Sequence, residues 1–389
     1  MAATLITEGR ADLTGLGPIV TQVVAQVADR AVAVDRGELD VRTSLRDLGA
    51  AGLLGLGLAR RTVGTVGTVG TVGTVSTVST VGTVPRQRQR ASGTLADQAV
   101  VVRHLARVCT ATAFSVWAHR TAVGYLANWG GDELRAELLP SLLTGERTGA
   151  TAMATAFQAA LGLRELSVVA RTEPDGVVLD GTIPWASNLF TDGAVVVLPA
   201  RTDDGRNLVV AITTDQPGVD LRPAPPLLAL GATASTTVRL SGVQVPTTRM
   251  LTDRFLDFLG DVRPAFLLLQ TALCLGLTDA ALDAAGSRHE GTAVTFRPDH
   301  DALIARRDDL EVVYDRRLSD GRPADDELVR LRLEASQLAV AATRHEAAVT
   351  GGAGYLATSA TARRLREAAF LPIQSPTEAQ LRWELSRSA

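Results

Sequence analysis

The chain has 389 residues, 46% of them hydrophobic, which is long enough to bury a large core in two or three domains. Its formal net charge of −3 gives no reason to expect a surface for nucleic acid or anionic membranes. All 39 basic residues are arginine, which excludes a lysine Schiff-base mechanism.

Residues 1–147 are predicted to form an N-terminal helical domain. Apolar residues recur at three- and four-residue spacing in stretches such as "IVTQVVAQVADRAVAVD" and "LADQAVVVRHLARVCTATAFSVWAHRTAVGYLANW". The first residues have neither a basic n-region nor an apolar h-region, and the two cysteines, Cys109 and Cys274, lie far apart in apolar surroundings. We therefore expect a cytoplasmic protein with two reduced, buried cysteines.

A low-complexity segment interrupts this domain between Thr62 and Val84. It repeats Thr-Val with single Gly or Ser spacers at a strict period of three. That period matches neither a helix nor a strand, so no amphipathic face can form. The segment is interpreted as an insertion in a surface loop, and its removal is expected to change stability little.

Two further domains are predicted after this region. From residue 148 to 247 short β-branched runs such as "GAVVVLPART" and "NLVVAITT" alternate with turns, which predicts a middle antiparallel β domain. The helical period returns over 248–389 and predicts a C-terminal helical bundle. The longest apolar run, "PAFLLLQTALCLGL", is too short to span a bilayer and is typical of a buried core helix. The expected fold class is α+β.

The middle domain carries the first resemblance to a known family. The stretch "VVLDGTIPWASNLFTDGAVVVLPART" resembles the strand pair that lies against the flavin in acyl-CoA dehydrogenases, with Gly181, Trp185, Ser187 and Asn188 in register. Aromatic and hydroxyl side chains of this kind suit a flavin ring, which needs an aromatic wall and a hydroxyl or backbone donor near its N5 atom. The resemblance implies an FAD site that includes Trp185 and Ser187.

The C-terminal region carries a second, independent resemblance. "TGGAGYLATSATARRLREAAFLPIQSPTEAQLRWEL" is similar to the family's glycine loop, Gln-x-x-Gly-Gly-x-Gly-Tyr, and to the segment that follows it. Gly351, Gly352 and Tyr355 match the loop, where glycines let the backbone approach the dinucleotide pyrophosphate. The resemblance covers nearly the whole chain except the Thr-Val repeat. It implies an acyl-CoA dehydrogenase-like fold with flavin between the domains and a homodimer or homotetramer.

Several positions depart from the family pattern. Where the family has Thr-Glu-Pro-x-x-Gly-Ser-Asp against flavin and thioester, this chain reads "TAFQAALG", which retains only Thr155. The family's phosphate-binding arginine has no counterpart in clean register, although Arg288 or Arg297 could substitute. The glutamine that precedes the glycine loop is replaced by Ala348.

The catalytic base is the most important departure. Dehydrogenation of an acyl thioester needs a carboxylate at the substrate α-carbon, and the family's glutamate aligns with Gln374, whose amide cannot accept a proton at neutral pH. Some members carry the base on the long helix just before an arginine. Here that arginine is Arg263, preceded by Val262, with Asp261 one residue further back.

Three functions are compatible with these residues. The first is a flavin-dependent oxidoreductase acting on an acyl-CoA, an acyl-carrier-protein thioester or a similar small acyl substrate. The alternatives are a flavin monooxygenase on the same fold, which needs no α-proton base, and a non-catalytic relative that binds acyl groups or a carrier protein. No metal site is expected, because the five histidines are scattered along the sequence. His289 and Glu290 could form a local acid–base pair, but a solvated helix end explains them better.

Overall fold

The structure is a computed structural model that describes residues 16–58 and 93–388. The Thr-Val repeat, and the prediction that it is dispensable, lie outside these residues. The described part of the N-terminal region contains five helices: α1 (Gly17–Asp35), α2 (Arg42–Ala50), α3 (Leu95–Val108), α4 (Thr110–Trp129) and α5 (Asp132–Leu143). Helix α4 is buried on nearly all sides, which places it at the centre of the molecule.

An eight-stranded sheet with one short helix follows. Its elements are β1 (Gly149–Thr151), α6 (Ala154–Ala160), β2 (Val168–Glu173), β3 (Gly176–Ala186), β4 (Val195–Thr202), β5 (Asn207–Thr213), β6 (Val219–Leu221), β7 (Thr236–Pro246) and β8 (Met250–Thr252). The strand order is β6-β7-β3-β2-β4-β5-β8, and β1 pairs with β4. The expected antiparallel pattern holds for most pairs, but β4 is parallel to both β1 and β2, so the sheet is mixed.

Strand β4 explains how the sheet joins the helices. Val195 and Val197 pack into the helical core, whereas Val196 and Leu198 pack into the core on the other face of the sheet. Successive side chains on a strand point to opposite faces, so a nearly continuous apolar run is what a strand buried on both faces requires. At β4 the helical core therefore covers one face of the sheet, and a second hydrophobic core covers the other face.

The C-terminal region is a helical bundle built around one long helix. It contains α7 (Phe255–Gly286), α8 (Arg297–Asp320), α9 (Asp326–Thr350), α10 (Ala360–Ala368) and α11 (Glu378–Ser388). Among the described residues α7 alone is long and apolar enough to cross a membrane, but 89% of its most apolar window is buried inside the molecule. It is the predicted core helix. Cys109 and Cys274 are free and buried, as expected from the sequence.

Helix α6 was not predicted from the sequence. It occupies the stretch "ATAFQAA", where the family pattern has its Gly-Ser-Asp loop. Alanine favours helix, and Phe157 anchors the segment against Phe266 of α7 with ring centroids 5.0 Å apart. The short helix thus forms a packed wall that lines the same cavity as the end of β3.

Candidate active site

A cavity of about 570 Å³ lies where the sheet, α4, α6 and the C-terminal helices meet. Its walls are formed by one face of α4, by Thr155 and Gln158 of α6, by residues 183–187 at the end of β3, by the loop 227–230, and by residues 369–375 after α10. Its volume is in the range of small-molecule and cofactor sites. Thr155, Trp185, Ser187 and Gln374, which are distant in sequence, therefore line one space.

The sheet side of the cavity presents an aromatic ring and a hydroxyl relay. Trp185 is 54% exposed in the cavity wall, unusual for a large aromatic side chain. The Ser187 hydroxyl lies 2.7 Å from that of Ser235, which lies 2.7 Å from that of Thr233, and Thr233 donates to the Leu230 carbonyl. Because a carbonyl can only accept, the relay runs from Ser187 towards Leu230. Ser187 donates within the relay and keeps its oxygen free as an acceptor.

The turn after this strand is fixed by Asn188. It has a left-handed backbone, φ 63°, and its side-chain nitrogen donates to the carbonyls of Ser115 and Gly149 at 2.9 Å each. Asparagine tolerates this conformation better than most residues. Asn188 is fully buried, so its role is to hold the end of β3 against α4 and β1. It positions the cavity wall without lining the cavity.

The opposite side of the cavity contains Gln374, which is held by a buried arginine. Gln374 is 3% exposed, and its Oε1 accepts from Nη2 of Arg332 at 3.2 Å. Arg332 is fully buried on α9 and also donates to Oε1 of Gln270 at 2.9 Å and to the Leu371 carbonyl at 3.2 Å. It forms no ion pair with any described residue. Nε2 of Gln374 has no hydrogen-bond partner in the described chain. The arginine thus fixes the amide oxygen, and the buried amide nitrogen is left without a partner among the described residues.

None of the described residues that line the cavity is an aspartate, glutamate, histidine, tyrosine or cysteine. Asp261, considered from the sequence, and Glu378, four residues after Gln374, both lie elsewhere. Asp261 accepts from Nε1 of Trp129 at 2.7 Å on an exposed surface. Hydrogen bonds from Gln337 and Arg382 lower the pKa of Glu378 and hold its carboxylate outside the cavity wall. The cavity wall of the described chain therefore contains no side chain suited to accept a proton from an acyl α-carbon.

The remaining predicted site residues are not brought to this cavity. Arg263 lies on α7, pairs with Glu384 and stacks over the ring of Phe157 at 5.8 Å. Arg288 follows the end of α7 and is exposed, as are Gly351, Gly352 and Tyr355. Tyr355 is 90% exposed, so the glycine loop forms part of the outer surface. Within one chain, the residues predicted to contact the flavin ring are therefore separated from those predicted to bind the phosphates of FAD.

Sequence reasoning missed Arg332 entirely. It lies within an ordinary helical pattern, 42 residues before Gln374, and local periodicity only predicts that the position is on a helix. The one available signal is that it interrupts an apolar face, "LVRLRLEASQLAV", where an arginine would need a buried partner. Such a partner becomes visible only when α9 packs against the segment after α10.

Comparisons with known proteins identify the fold. Residues 19–146 match the family model described as acyl-CoA dehydrogenase, N-terminal domain. The short-chain specific mitochondrial acyl-CoA dehydrogenase of Bos taurus is 22% identical over 316 residues, which cover 76% of each chain.

Solved structures extend the similarity over the whole chain. Butyryl-CoA dehydrogenase from Megasphaera elsdenii has a TM-score of 0.77 at 15% identity, covering 98% of this chain and 99% of that one. The prolyl acyl carrier protein oxidase AnaB has a TM-score of 0.76 at 18% identity, with coverage of 95% and 98%. At these identities the structures establish a common fold.

Proposed function

We propose that this chain is a flavin-dependent oxidoreductase acting on an acyl thioester or a similar small acyl substrate. It is similar to acyl-CoA dehydrogenases in its fold and in its N-terminal family match. One observation carries the proposal. The cavity collects Trp185, Ser187, Thr155 and Gln374 from three separate parts of the sequence. These are the positions where the family resemblance implies flavin on one side and the acyl group on the other.

The cavity wall suits the ring of FAD. Trp185 supplies an exposed aromatic face, and Ser187 supplies a hydroxyl oxygen that its relay leaves available. Bound flavin would supply a two-electron acceptor or, once reduced, a reaction with dioxygen. For the phosphate end, the positions implied by the resemblance are Arg288 and the glycine loop, which are exposed and free to meet a second subunit. We propose that two chains complete each FAD site.

The acyl side of the cavity has an amide donor and, among the described lining residues, no carboxylate. Nε2 of Gln374 has no partner among the described residues, and Arg332 polarises the amide through its oxygen. Such a donor can bind a thioester carbonyl and stabilise negative charge that develops on its oxygen. It cannot remove the α-proton. Gln374 is therefore proposed to bind and orient the acyl group.

A second candidate function is a flavin monooxygenase. It is favoured by the composition of the cavity wall, in which the described chain provides no carboxylate or imidazole. Oxygen transfer to an acyl substrate does not depend on an α-proton base, so this composition would not impair it. The fold is the same in both candidates, so the distinction has to come from the reaction.

Flavin binding is the first test. FAD titrated into the protein should quench its flavin fluorescence and give one flavin per chain. Trp185→Leu should weaken binding by roughly 2- to 10-fold, the range expected for loss of one aromatic contact. Trp383→Leu, outside the cavity, is the matched control and should leave the affinity unchanged. No flavin absorbance in the purified protein and no uptake of added FAD would refute the proposal.

The reaction is the second test. The flavin-loaded protein is mixed anaerobically with short and medium acyl-CoAs and with acyl-carrier-protein thioesters. Bleaching of the flavin absorbance, even if slow, supports the oxidoreductase when one of the acyl thioesters accelerates it. Turnover that requires a separate reductant and dioxygen, with oxygen incorporated into the acyl product, identifies the monooxygenase. Ligand binding with neither activity would leave the non-catalytic role proposed from the sequence.

A further inference from the structure

Three histidines from separate elements meet on the side of the C-terminal bundle away from the cavity. His289 lies in the turn after α7, His300 in the first turn of α8 and His345 near the end of α9. The ring centroids of His289 and His300 are 4.7 Å apart, and those of His300 and His345 are 5.4 Å apart. Three of the five histidines in the chain thus gather at one point.

Each histidine of this cluster has one buried nitrogen that is not used in a hydrogen bond. Nε2 of His289, Nδ1 of His300 and Nε2 of His345 are buried and have no hydrogen-bond partner in the described chain. One ligand atom from each residue lies within 4.8 Å of the other two. Buried polar atoms are normally satisfied, so three orphans at one point indicate a missing partner common to all of them.

We propose that His289, His300 and His345 bind one divalent transition-metal ion, Zn²⁺ foremost, in each chain. Imidazole nitrogens suit Zn²⁺, and three protein ligands plus a water molecule form a common zinc geometry. Small side-chain rotations bring nitrogens at these separations to the Zn–N distance of about 2.0–2.1 Å. The ion would join the end of α7 to α8 and α9.

The surroundings agree with a cation site. Asp301 and Asp299 lie near the rings of His300 and His345 and favour a cation, while Arg307 opposes it. Gly286 allows the close approach of α8, since a Cβ there would lie 3.2 Å from Nε2 of His300.

The experiment uses the full chain without a histidine tag, dialysed against EDTA, and titrated with Zn²⁺ by calorimetry and with Co²⁺ by visible absorption. One ion per chain and the d–d bands of a nitrogen-ligated site are expected. His289→Asn, in the turn after α7, should weaken binding by about 100-fold or more, because loss even of an outer-shell group costs 10–100-fold. His104→Asn on α3 is the matched control and should bind as the wild type does.

Thermal unfolding gives a second readout. Added Zn²⁺ should raise the midpoint of the wild type and of His104→Asn, but not that of His289→Asn, because only an ion bound to the native cluster stabilises it. Absence of stoichiometric binding by the wild type would overturn the proposal. Equal Zn²⁺ binding by His289→Asn and His104→Asn would also overturn it, because it would indicate adventitious surface sites. Binding of inorganic phosphate in place of the metal would overturn it as well.

Discussion

At the scale of single residues, the most consequential contact is the one between Gln374 and Arg332. A fully buried guanidinium with no ion pair among the described residues is costly; here two amides and a carbonyl accept hydrogen bonds from Nε and Nη2, while Nη1 has no partner among the described residues. The arginine also determines what a carboxylate at position 374 would become. It would be an ion-paired anion rather than a free base.

The first prediction concerns Gln374→Glu. Positioned proton transfer contributes about 10²–10⁴-fold, so anaerobic flavin bleaching by acyl-CoA should rise, but by less than this range because Arg332 weakens the new base. The ion pair lowers the folded-state pKa of the introduced carboxyl below its unfolded value. Its stabilisation is therefore present above a pH of about 4.3 and is lost as pH falls further. Bleaching rates and urea midpoints at two pH values provide the measurements.

A matched variant separates the base from the ion pair. Gln270→Glu also places a carboxylate against Arg332 but does not line the cavity. It should show the same pH-dependent gain in urea midpoint without any gain in bleaching. If both variants bleached equally fast, or if the wild type already bleached briskly, the proton would be leaving to a group other than residue 374.

Resemblance alone was able to predict Trp185, Ser187, Thr155 and Gln374 as neighbours of one site, because each belongs to a short motif. Arg332 and the three clustered histidines were out of reach for a physical reason. Their partners lie on other helices, and the spacing along the chain carries no information about which helix faces pack together. The same limit applies to Asp261, whose position outside the cavity depends on how α7 is rotated in the bundle.

At the scale of elements, the pairing of β2 with β3 depends on Gly181. Its φ is 137°, and a Cβ there would lie 2.2 Å from the Ser167 carbonyl oxygen. The second prediction is that Gly181→Ala lowers the free energy of unfolding by more than the roughly 1–3 kcal/mol typical of backbone strain alone. Gly205→Ala is the control: φ is also positive, at 85°, but no atom lies within 4 Å of its Cβ position. Equal decreases in the urea midpoints of Gly181→Ala and Gly205→Ala would contradict a steric role for Gly181.

Helix α4 is joined to its neighbours by hydrogen bonds of His119. Nδ1 accepts from the Gly149 amide and Nε2 donates to the Leu142 carbonyl, both at 3.0 Å, which links α4 to β1 and to α5. Burial, with the Arg120 charge as a smaller cause, lowers the pKa of His119 to about 3. The native imidazole is neutral in the acid range where an unfolded histidine is protonated.

The third prediction follows from this difference in proton binding. Between pH of about 6.5 and 3 the unfolded state binds the extra proton, so His119 makes stability fall as pH falls through that window. His119→Gln, which keeps a donor, should be less stable at pH 7 and should show a slope of unfolding free energy against pH that is smaller by about one proton. Urea unfolding from pH 7 to 4 measures both. An unchanged slope would mean that the native ring is already protonated.

Element types were readily predicted where the pattern is long, as in α4 and α7. The parallel contacts of β4 and the short helix α6 were not. Pairing partners of a buried strand are set by long-range packing, and a seven-residue alanine-rich segment has too few turns to establish a helical period. Helix α6 lines the cavity, so the sequence did not predict the shape of that part of the site.

At the scale of the whole molecule, the glycine loop after α9 forms an exposed apolar surface. Tyr355 is 90% and Leu356 63% exposed, and Gly351 and Gly352 beside them are exposed as well. Aromatic side chains of this kind are typical of the centres of protein interfaces. Since the resemblance implies that this loop reaches a neighbouring subunit's flavin, we infer that the surface is covered in a homodimer or homotetramer.

The fourth prediction is that the protein is oligomeric at micromolar concentration and that Tyr355→Asp weakens the assembly by about 30-fold or more, the effect of removing an interface hot spot. The charged side chain would have to be buried against the second subunit, whereas the monomer fold should be unaffected because the position is exposed. Val312→Asp, on α8 and 73% exposed, is the matched control and should leave the assembly intact.

Light scattering gives the mass, and flavin content is measured on the same samples. If subunits complete each other's FAD sites, flavin should be lost together with the oligomer in Tyr355→Asp. A wild-type monomer that retains its flavin would contradict both the assembly and the shared site.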